Sequence, residues 1–418
     1  MVDILSINRI KFGDRVIPQM GKDNIILHNL NSGKVAIVSN ELYGILKYIC
    51  DNKKSLSEAF KLCETNDDRL YLEKNLIYLM EKNIIRDAKD CTEYDELDMR
   101  IDLDITNKCN LHCRHCCVDA SNMCVDLSTE DMFSIMDKIS ETHPKLVTIS
   151  GGEPLMRKDF KEIICRLRSK YNGVLGLMSN LTLVDEEMAY FIAEKFDTVS
   201  TSLDGVDEKT CSAIRGKGVF DKTIRGIKKL KAAGAKEISA SMVITKLTEN
   251  RREEFKALCN DLEIDMMYRA LGLIGRAEKE MLDLVPEGED VKTEKKDIDY
   301  TYNNKRVPER FFSCSAGYRQ FQIDYRGELY PCQLLMYDEF SLGNVLKIEK
   351  LNDYIRKRLL VTTQGYKNLE KYFPYNYAKC SGCNRQMICW SCIASIYKGI
   401  GEKDSCQVMK ELYKELLG

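Results

Sequence analysis

From residue 100 onward, the chain alternates between short apolar runs and longer stretches in which apolar residues recur every three or four positions. The short runs predict six strands, at residues 101–105, 145–150, 174–178, 198–203, 238–244 and 266–270. The longer stretches predict helices between them, beginning at Ser128 and near Asp159 and spanning 186–195, 222–233 and 250–262. This alternation predicts a parallel sheet with right-handed crossovers, whose functional groups gather at the carboxyl ends of the strands.

A different pattern precedes residue 100 and predicts a separate small domain over residues 1–90. Asn24–Leu30 and Lys34–Val38 alternate like strands around an Asn-Ser-Gly turn, which is a hairpin signal. Three helical stretches follow, and the second starts at Ser55 with a capping box to Glu58. A hairpin with three helices predicts a winged-helix-like module. The acidic stretch 90–98 is a predicted linker, and the charged, weakly patterned stretch 277–313 is a predicted connecting segment.

The loop after the first strand of the sheet carries Cys109, Cys113 and Cys116. Three thiolates on one short loop can hold three irons of a 4Fe–4S cube and leave the fourth iron open. A zinc site is the alternative, but structural zinc usually takes four ligands, often from two Cys-x2-Cys pairs. The second strand then ends directly in a turn formed by Gly151, Gly152, Glu153 and Pro154.

Composition narrows the partners and the compartment. The formal net charge of −2 offers no basic excess for nucleic acid. No apolar run of about eighteen residues exists, so no membrane partner or span is expected, and the N-terminus lacks a signal-peptide pattern. A disulfide scaffold is one reading of the 18 cysteines, but their clustering favours metal ligation in a reducing cytoplasm.

The cysteine loop and the Gly-Gly-Glu-Pro turn, one βα unit apart, resemble the radical S-adenosylmethionine (SAM) enzymes. The resemblance implies an α/β chain with a partial (β/α)6 barrel over residues 100–276. It also implies that SAM chelates the open iron and that the turn binds the SAM amino group. By the same resemblance, Ser202 and Arg215 would contact the SAM carboxylate, and Asn180 would contact the ribose. The His115 backbone and residues 271–274 would contact the adenine. For Arg215 an ion pair is the alternative role, and Cys117 is expected to be a bystander thiol.

A second group of cysteines lies in residues 314–418 and comprises Cys314, Cys332, Cys380, Cys383, Cys389, Cys392 and Cys406. Together with Gly327 they resemble the SPASM domain, which carries auxiliary 4Fe–4S clusters. The resemblance implies an outer cluster held by Cys380, Cys383, Cys389 and Cys406, and an inner one held by Cys314, Cys332 and Cys392. The last pair is spaced x2 rather than the usual x3, which leaves the assignment of Cys389 and Cys392 open. No cysteine occurs in residues 303–313, so the inner cluster is expected to have an open iron.

These resemblances predict a radical SAM oxidoreductase that matures a ribosomal precursor peptide in the cytoplasm. Its cofactors would be SAM and three 4Fe–4S clusters, and an electron donor such as flavodoxin or ferredoxin would reduce them. The N-terminal module resembles the RiPP recognition element, which binds the leader of such peptides by strand addition; a purely structural cap is the alternative. The expected reaction is hydrogen abstraction through a 5′-deoxyadenosyl radical, followed by formation of a Cys thioether.

Three other functions remain open at this point. The same radical chemistry would serve a carbon–carbon cross-link or an oxidation. A sulfatase-maturing activity is disfavoured, because Gln333 stands where that group has an Asp base, and an amide cannot accept a proton as a carboxylate does. A redox-sensing DNA-binding regulator would use the winged helix and the clusters, but it would leave the Gly-Gly-Glu-Pro turn without a role.

Overall fold

The computed structural model describes residues 4–13, 16–20, 24–29, 34–89, 99–272, 274–285, 301–302, 305–306, 314–373, 376–380 and 392–398. By contacts between Cα atoms the chain divides into two units. One comprises residues 1–97, 293–315 and 368–418, and the other comprises residues 98–292 and 316–367. In the described part of the chain, no helix is both long and apolar enough to cross a membrane.

Among the described residues, the N-terminal part of the first unit has five strands and three α-helices. These are β1 (Ile10–Phe12), β2 (Val16–Met20), β3 (Asn24–Asn29), β4 (Val35–Ser39), α1 (Asn40–Asp51), α2 (Leu56–Phe60), α3 (Asn66–Glu81) and β5 (Ile85–Asp87). The predicted hairpin is present as β3 and β4, and its loop lies outside the described residues. The sequence did not predict β2, which pairs antiparallel with β3, or the β1–β5 pair.

Side-chain caps and a shared core fix the three helices of this module. Ser39 caps α1, and Ser55 and Thr65 form capping boxes at the starts of α2 and α3. One face of each helix packs into a single buried cluster, which includes Leu46, Leu56 and Leu76. The capping box predicted at Ser55 is confirmed. The winged-helix assignment of the module stays a prediction.

The second unit contains the six predicted parallel strands. They are β6 (Arg100–Asp104), β7 (Leu146–Ser150), β8 (Val174–Met178), β9 (Thr198–Ser202), β10 (Glu237–Ile244) and β11 (Asp265–Ala270). They pair in sequence order across the sheet, as expected for right-handed β–α–β crossovers. The helices in this region are α4 (Thr129–Glu141), α5 (Phe160–Arg168), α6 (Glu186–Lys195), α7 (Glu208–Arg215), α8 (Val219–Ala232), α9 (Arg252–Asp261), α10 (Arg276–Lys279) and α11 (Met281–Leu284).

A later part of the chain extends this sheet. The remaining elements are β12 (Thr301–Tyr302), β13 (Lys305–Arg306), β14 (Gln320–Ile323), β15 (Leu329–Tyr330), α12 (Leu351–Arg356), α13 (Gln364–Glu370) and α14 (Ile393–Lys398). The hairpin predicted near Gly327 is β14–β15, and β14 pairs in parallel with β6, from Gln320↔Arg100 to Ile323↔Leu103. In the described part of the chain, the sheet therefore has eight strands, in the order β11-β10-β9-β8-β7-β6-β14-β15.

The two faces of the sheet differ in polarity. On β6 the buried residues Ile101 and Leu103 alternate with the buried residues Asp102 and Asp104. Successive side chains of a strand point to opposite faces, so one face of β6 is apolar and the other carries carboxyl groups. The same alternation on β7 places Ser150 on the polar face, where it lines a cavity. This polar face carries the candidate site.

Lys138 of α4 connects this helix to the segment after β15. Its ammonium group donates to the carbonyl oxygens of Val345, Leu346 and Ile348 at 2.8, 3.0 and 2.7 Å. Lys138→Met would leave these acceptors without a donor, so we expect a loss of about 1–3 kcal/mol in the free energy of unfolding. Urea denaturation measures the loss. Lys357→Met is the control, because that exposed lysine follows α12 and pairs with Asp353 of that helix. It should change stability by less than about 0.5 kcal/mol.

Candidate active site

The cysteine loop and the ends of several strands enclose one cavity of about 350 Å³ in the second unit. Cys109, Cys113 and Cys116 all line it, and the loop that carries them follows β6 directly. Burial raises the pKa of the Cys109 thiol to about 11. The Cys109 thiol is therefore protonated without a metal, and binding a metal would release its proton. Cys117 also lines the cavity, and burial raises its pKa to about 12.

Gly151 and Gly152 allow the turn after β7 to pack against the start of the cysteine loop. A Cβ atom on Gly151 would lie 2.2 Å from the Thr106 carbonyl oxygen, and one on Gly152 would lie 2.3 Å from that of Lys108. The Gly152 backbone amide donates to the Thr106 carbonyl oxygen at 2.9 Å, and the Glu153 backbone amide donates to the Lys108 carbonyl oxygen at 2.8 Å. The two glycines are thus required by the close approach of these backbones.

Gly152→Ala should therefore disturb the cysteine loop. The new methyl group must displace the Lys108 backbone, and such overpacking costs about 1–3 kcal/mol. We expect a lower thermal midpoint and reduced iron content after reconstitution. Gly44→Ala is the matched control, because a Cβ there meets no atom within 4 Å. Gly44 lies within α1, so alanine should stabilise by about 0.5–1 kcal/mol. Unchanged iron content in Gly152→Ala would contradict the role assigned to this contact.

The Glu153 carboxylate forms hydrogen bonds within the protein and does not line the cavity. It is fully buried and accepts hydrogen bonds from the Ser179 hydroxyl at 2.8 Å, the Asn180 amide at 2.8 Å and the Leu155 amide at 3.1 Å. Burial raises its pKa to about 7 against these hydrogen bonds. Gly151 and Gly152 line the cavity, whereas the Glu153 side chain fixes the turn after β8. The Glu153 carboxylate is therefore a positioning group for Ser179 and Asn180.

Asn180 connects that turn to the cysteine loop. Its side-chain amide donates to the Asn110 side chain at 2.9 Å, and its oxygen accepts from the Thr182 hydroxyl and amide. Asn180 and Ser202 both line the cavity, as the predicted SAM contacts require. Both assignments stay predictions.

Asp204 is the centre of a buried ionic group. Its Oδ2 accepts from the Nε of Arg215 and the Nε2 of His115, both at 2.6 Å, and its Oδ1 accepts from the Val243 amide at 2.7 Å. A carboxylate only accepts, so His115 carries its proton on Nε2. Burial opposes ionisation of Asp204, but Arg215 and His115 outweigh it and hold its pKa well below the usual range.

Arg215 lines the cavity, and its guanidinium group forms a buried ion pair with Asp204. An ion pair was the alternative expectation for this residue, and its predicted contact with the SAM carboxylate stays a prediction. Its Nη1 lies 3.8 Å from the Cys113 sulfur. Arg215 thus places a positive charge beside one thiol of the cysteine loop. The sequence pattern places Asp204 at the carboxyl end of the fourth strand, two residues beyond β9, but it predicted no role for this residue.

The segment after β11 braces the cysteine loop. The buried Arg276 donates to the carbonyl oxygens of Cys113 and Ala120 at 3.0 and 2.9 Å, and its own amide donates to Cys116 at 2.9 Å. Gly275 has a φ of +61°, and a Cβ there would lie 2.5 Å from the Cys116 carbonyl oxygen. The sequence predicted Leu271–Ile274 as neighbours of a bound adenine, and Leu271 and Gly272 do line the cavity. It did not predict the bracing by Gly275 and Arg276.

The C-terminal cysteines are only partly described. Cys332 follows β15 in the second unit, whereas Cys314, Cys380 and Cys392 belong to the first. Cys383, Cys389 and Cys406 lie outside the described residues. Among the described residues, no group of three or more His, Cys, Asp or Glu side chains is arranged to hold a single metal ion. A cluster makes a different demand, because each of its cysteines binds a different iron.

The described part of the site fits a cluster that binds SAM. The donor set is three thiols on one loop, which are soft ligands suited to iron–sulfur chemistry. They face a cavity that is also lined by a serine, an asparagine and an arginine at the ends of neighbouring strands.

Two protein-family models match the parts of the chain that contain the cysteine loop and the start of the C-terminal cysteine group. Residues 103–261 match the family model of the radical SAM superfamily, and residues 314–384 match that of the SPASM iron–sulfur cluster-binding domain. The mycofactocin maturase MftC of Mycolicibacterium smegmatis is 28% identical over 259 residues, which are 58% of this chain and 66% of that protein. The Fe-coproporphyrin III synthase of Methanosarcina barkeri is 38% identical over 137 residues, 32% of this chain and 34% of that protein. The match to the first relatives thus spans just under two thirds of their length.

A solved structure shares the fold. Streptococcus suis SuiB bound to the precursor peptide SuiA superposes with a TM-score of 0.55 and 15% identity, covering 95% of this chain and 100% of that chain. The family matches confirm the predictions of SAM and iron–sulfur clusters as cofactors. Residues 103–261 therefore belong to a radical SAM domain, and residues 314–384 belong to a SPASM domain. The prediction of a radical SAM enzyme is confirmed.

Proposed function

We propose that this protein is a radical SAM maturase that forms a Cys thioether in a ribosomally made precursor peptide. The observation that carries the proposal is that Cys109, Cys113 and Cys116 line the same cavity as Gly151, Gly152 and Asn180. Two comparisons support a peptide substrate. A relative is named a maturase, and a protein of the same fold was crystallised with its precursor peptide.

Three 4Fe–4S clusters are proposed. Cys109, Cys113 and Cys116 would hold the cluster that binds SAM, and the seven C-terminal cysteines would hold two auxiliary clusters. When bound, the first cluster and SAM supply hydrogen-atom abstraction from a substrate carbon. The residues of this chain hold and orient them. Gly151 and Gly152 shape the turn, Arg215 places a positive charge beside Cys113, and Arg276 braces the loop.

The first unit is proposed to bind the leader of the precursor peptide. The sheet β2-β3-β4 has two edge strands, β2 and β4, and an extended peptide could add to such an edge by backbone hydrogen bonds. The proposed setting is the cytoplasm, where an electron donor such as flavodoxin or ferredoxin would reduce the clusters.

An anaerobic assay of the reconstituted, reduced protein tests the proposal. The protein is incubated with SAM and a Cys-containing candidate peptide, and both 5′-deoxyadenosine and peptide mass are measured. A thioether requires the loss of two hydrogen atoms and a Cys that no longer reacts with an alkylating reagent. A peptide that loses two hydrogens but keeps a reactive Cys would favour a carbon–carbon cross-link or an oxidation instead. Full product from a peptide whose cysteines are replaced by alanine would exclude the thioether.

A further inference from the structure

Arg269 stands at the carboxyl end of β11, the last parallel strand, and lines the cavity. Its side chain is half-buried, and its Nε is buried without a hydrogen-bond partner. Within the described ranges no residue forms a hydrogen bond or ion pair with its guanidinium group. This contrasts with the other two arginines of the cavity, Arg215 and Arg276, which are tied to named partners.

The carboxylates of Asp102 and Asp204 act on Arg269, and both are already engaged. Asp102 accepts from the Nε of Arg100 at 2.8 Å, and Asp204 is paired with Arg215 and His115. Burial, with Asp324 and Asp102 nearby, raises the pKa of Asp104 to about 8, so this carboxyl group is neutral at pH 7.

The positive charge of Arg269 is therefore not balanced by the described residues. Burial, followed by repulsion from Arg100, lowers its pKa, but a guanidinium keeps its proton in proteins. An unpaired charge that is partly removed from water is unfavourable, and an anion that enters the cavity would compensate it. The planar fork of an arginine binds a carboxylate through two parallel hydrogen bonds.

We propose that Arg269 is the carboxylate-binding residue of this cavity. The carboxylate belongs either to SAM or to an acidic residue of the peptide substrate, and the second source rests on the proposed function. Arg269 takes this role because Arg215, the residue that the sequence suggested for the SAM carboxylate, is already bound to Asp204.

The first arm of the test measures the binding of SAM and of decarboxylated SAM to the reconstituted full chain. The variants are Arg269→Met and Arg269→Lys. Arg251→Met is the control, because that arginine pairs with Glu254 at the surface. If Arg269 binds the SAM carboxylate, Arg269→Met weakens SAM at least tenfold, leaves decarboxylated SAM unchanged, and Arg269→Lys restores part of the affinity. Equal cluster absorbance and thermal midpoints in all variants show that the fold is intact.

The second arm asks whether the carboxylate comes from the substrate. With SAM saturating, saturation-transfer NMR compares N-acetylglutamate N-methylamide with its glutamine analogue, since this method detects millimolar binding. A substrate site predicts that the wild type binds the glutamate compound in preference and that Arg269→Met loses this preference, while SAM affinity is unchanged. Identical behaviour of wild type and Arg269→Met in both arms would overturn the proposal. Neither arm requires peptide modification, so a failure of the maturase proposal would be seen separately.

Discussion

Replacing Cys113 by alanine is expected to abolish SAM cleavage. We propose that this thiolate binds one iron of the cluster, and it is the thiol that lies 3.8 Å from Arg215. Loss of a residue that only orients a metal ligand already costs about 10–100-fold, so loss of a ligand itself should exceed about a hundredfold. The measurements are 5′-deoxyadenosine formation and iron and sulfide content after anaerobic reconstitution.

Cys117→Ala is the matched control for that experiment. Cys117 lines the same cavity one residue beyond Cys116 and carries the same functional group. It lies outside the predicted Cys-x3-Cys-x2-Cys spacing, so this variant should keep the iron and sulfide content of the wild type. Iron loss in Cys117→Ala together with full loading in Cys116→Ala would show that the ligand set of the loop is assigned wrongly.

Asp204→Asn should be among the most destabilising single substitutions in the second unit. The asparagine is almost the same size, but it removes the negative charge that faces Arg215 and His115 in a fully buried position. Breaking a buried pair from one side costs about 3–5 kcal/mol, because the remaining charge is left uncompensated. Thermal and urea denaturation measure the loss. Asp207→Asn is the control, because Asp207 caps α7 at its exposed start and asparagine is an equally good cap.

The pH dependence gives a second test of Asp204. Its pKa is lowered in the folded protein, so it stabilises the fold above the ordinary carboxyl value of about 4 and loses this contribution as the pH falls. The difference in stability between the wild type and Asp204→Asn should therefore be constant near neutral pH and shrink as the pH is lowered below about 4. A difference that does not change with pH would mean that the ionised carboxylate is not the stabilising species.

The sequence predicts the features of this protein that local patterns encode. Strand and helix periods gave β6 to β11 in order, and the spacing of Cys109, Cys113 and Cys116 with the Gly-Gly turn placed the cavity at the strand ends. The roles of Asp204 and Arg276 were not predicted, because they depend on partners far away in the chain. His115 and Asp204 are 89 residues apart, and Arg276 and Cys113 are 163 apart. No periodicity encodes such a pairing.

The hydrogen bonds of the Glu153 carboxylate within the protein were not predicted for a related reason. A charged residue in a glycine-rich turn at the end of a strand suggests contact with a ligand. Its three hydrogen bonds instead go to the next strand end and to its own turn. The pairing of β14 with β6 was equally hidden, since it joins Gln320 to Arg100 across more than two hundred residues.

The pairing of β14 with β6 also limits how this protein can be dissected. β14 lies within the match to the iron–sulfur cluster-binding domain, while β6 leads into the cysteine loop of the radical SAM domain. A truncation that ends after residue 276 would strip β6 of a neighbour and leave its backbone groups open along one side, and such an edge invites aggregation. The two halves of the protein are therefore not interchangeable modules. A chimera that exchanges the cluster-binding half must carry a strand that completes the same sheet.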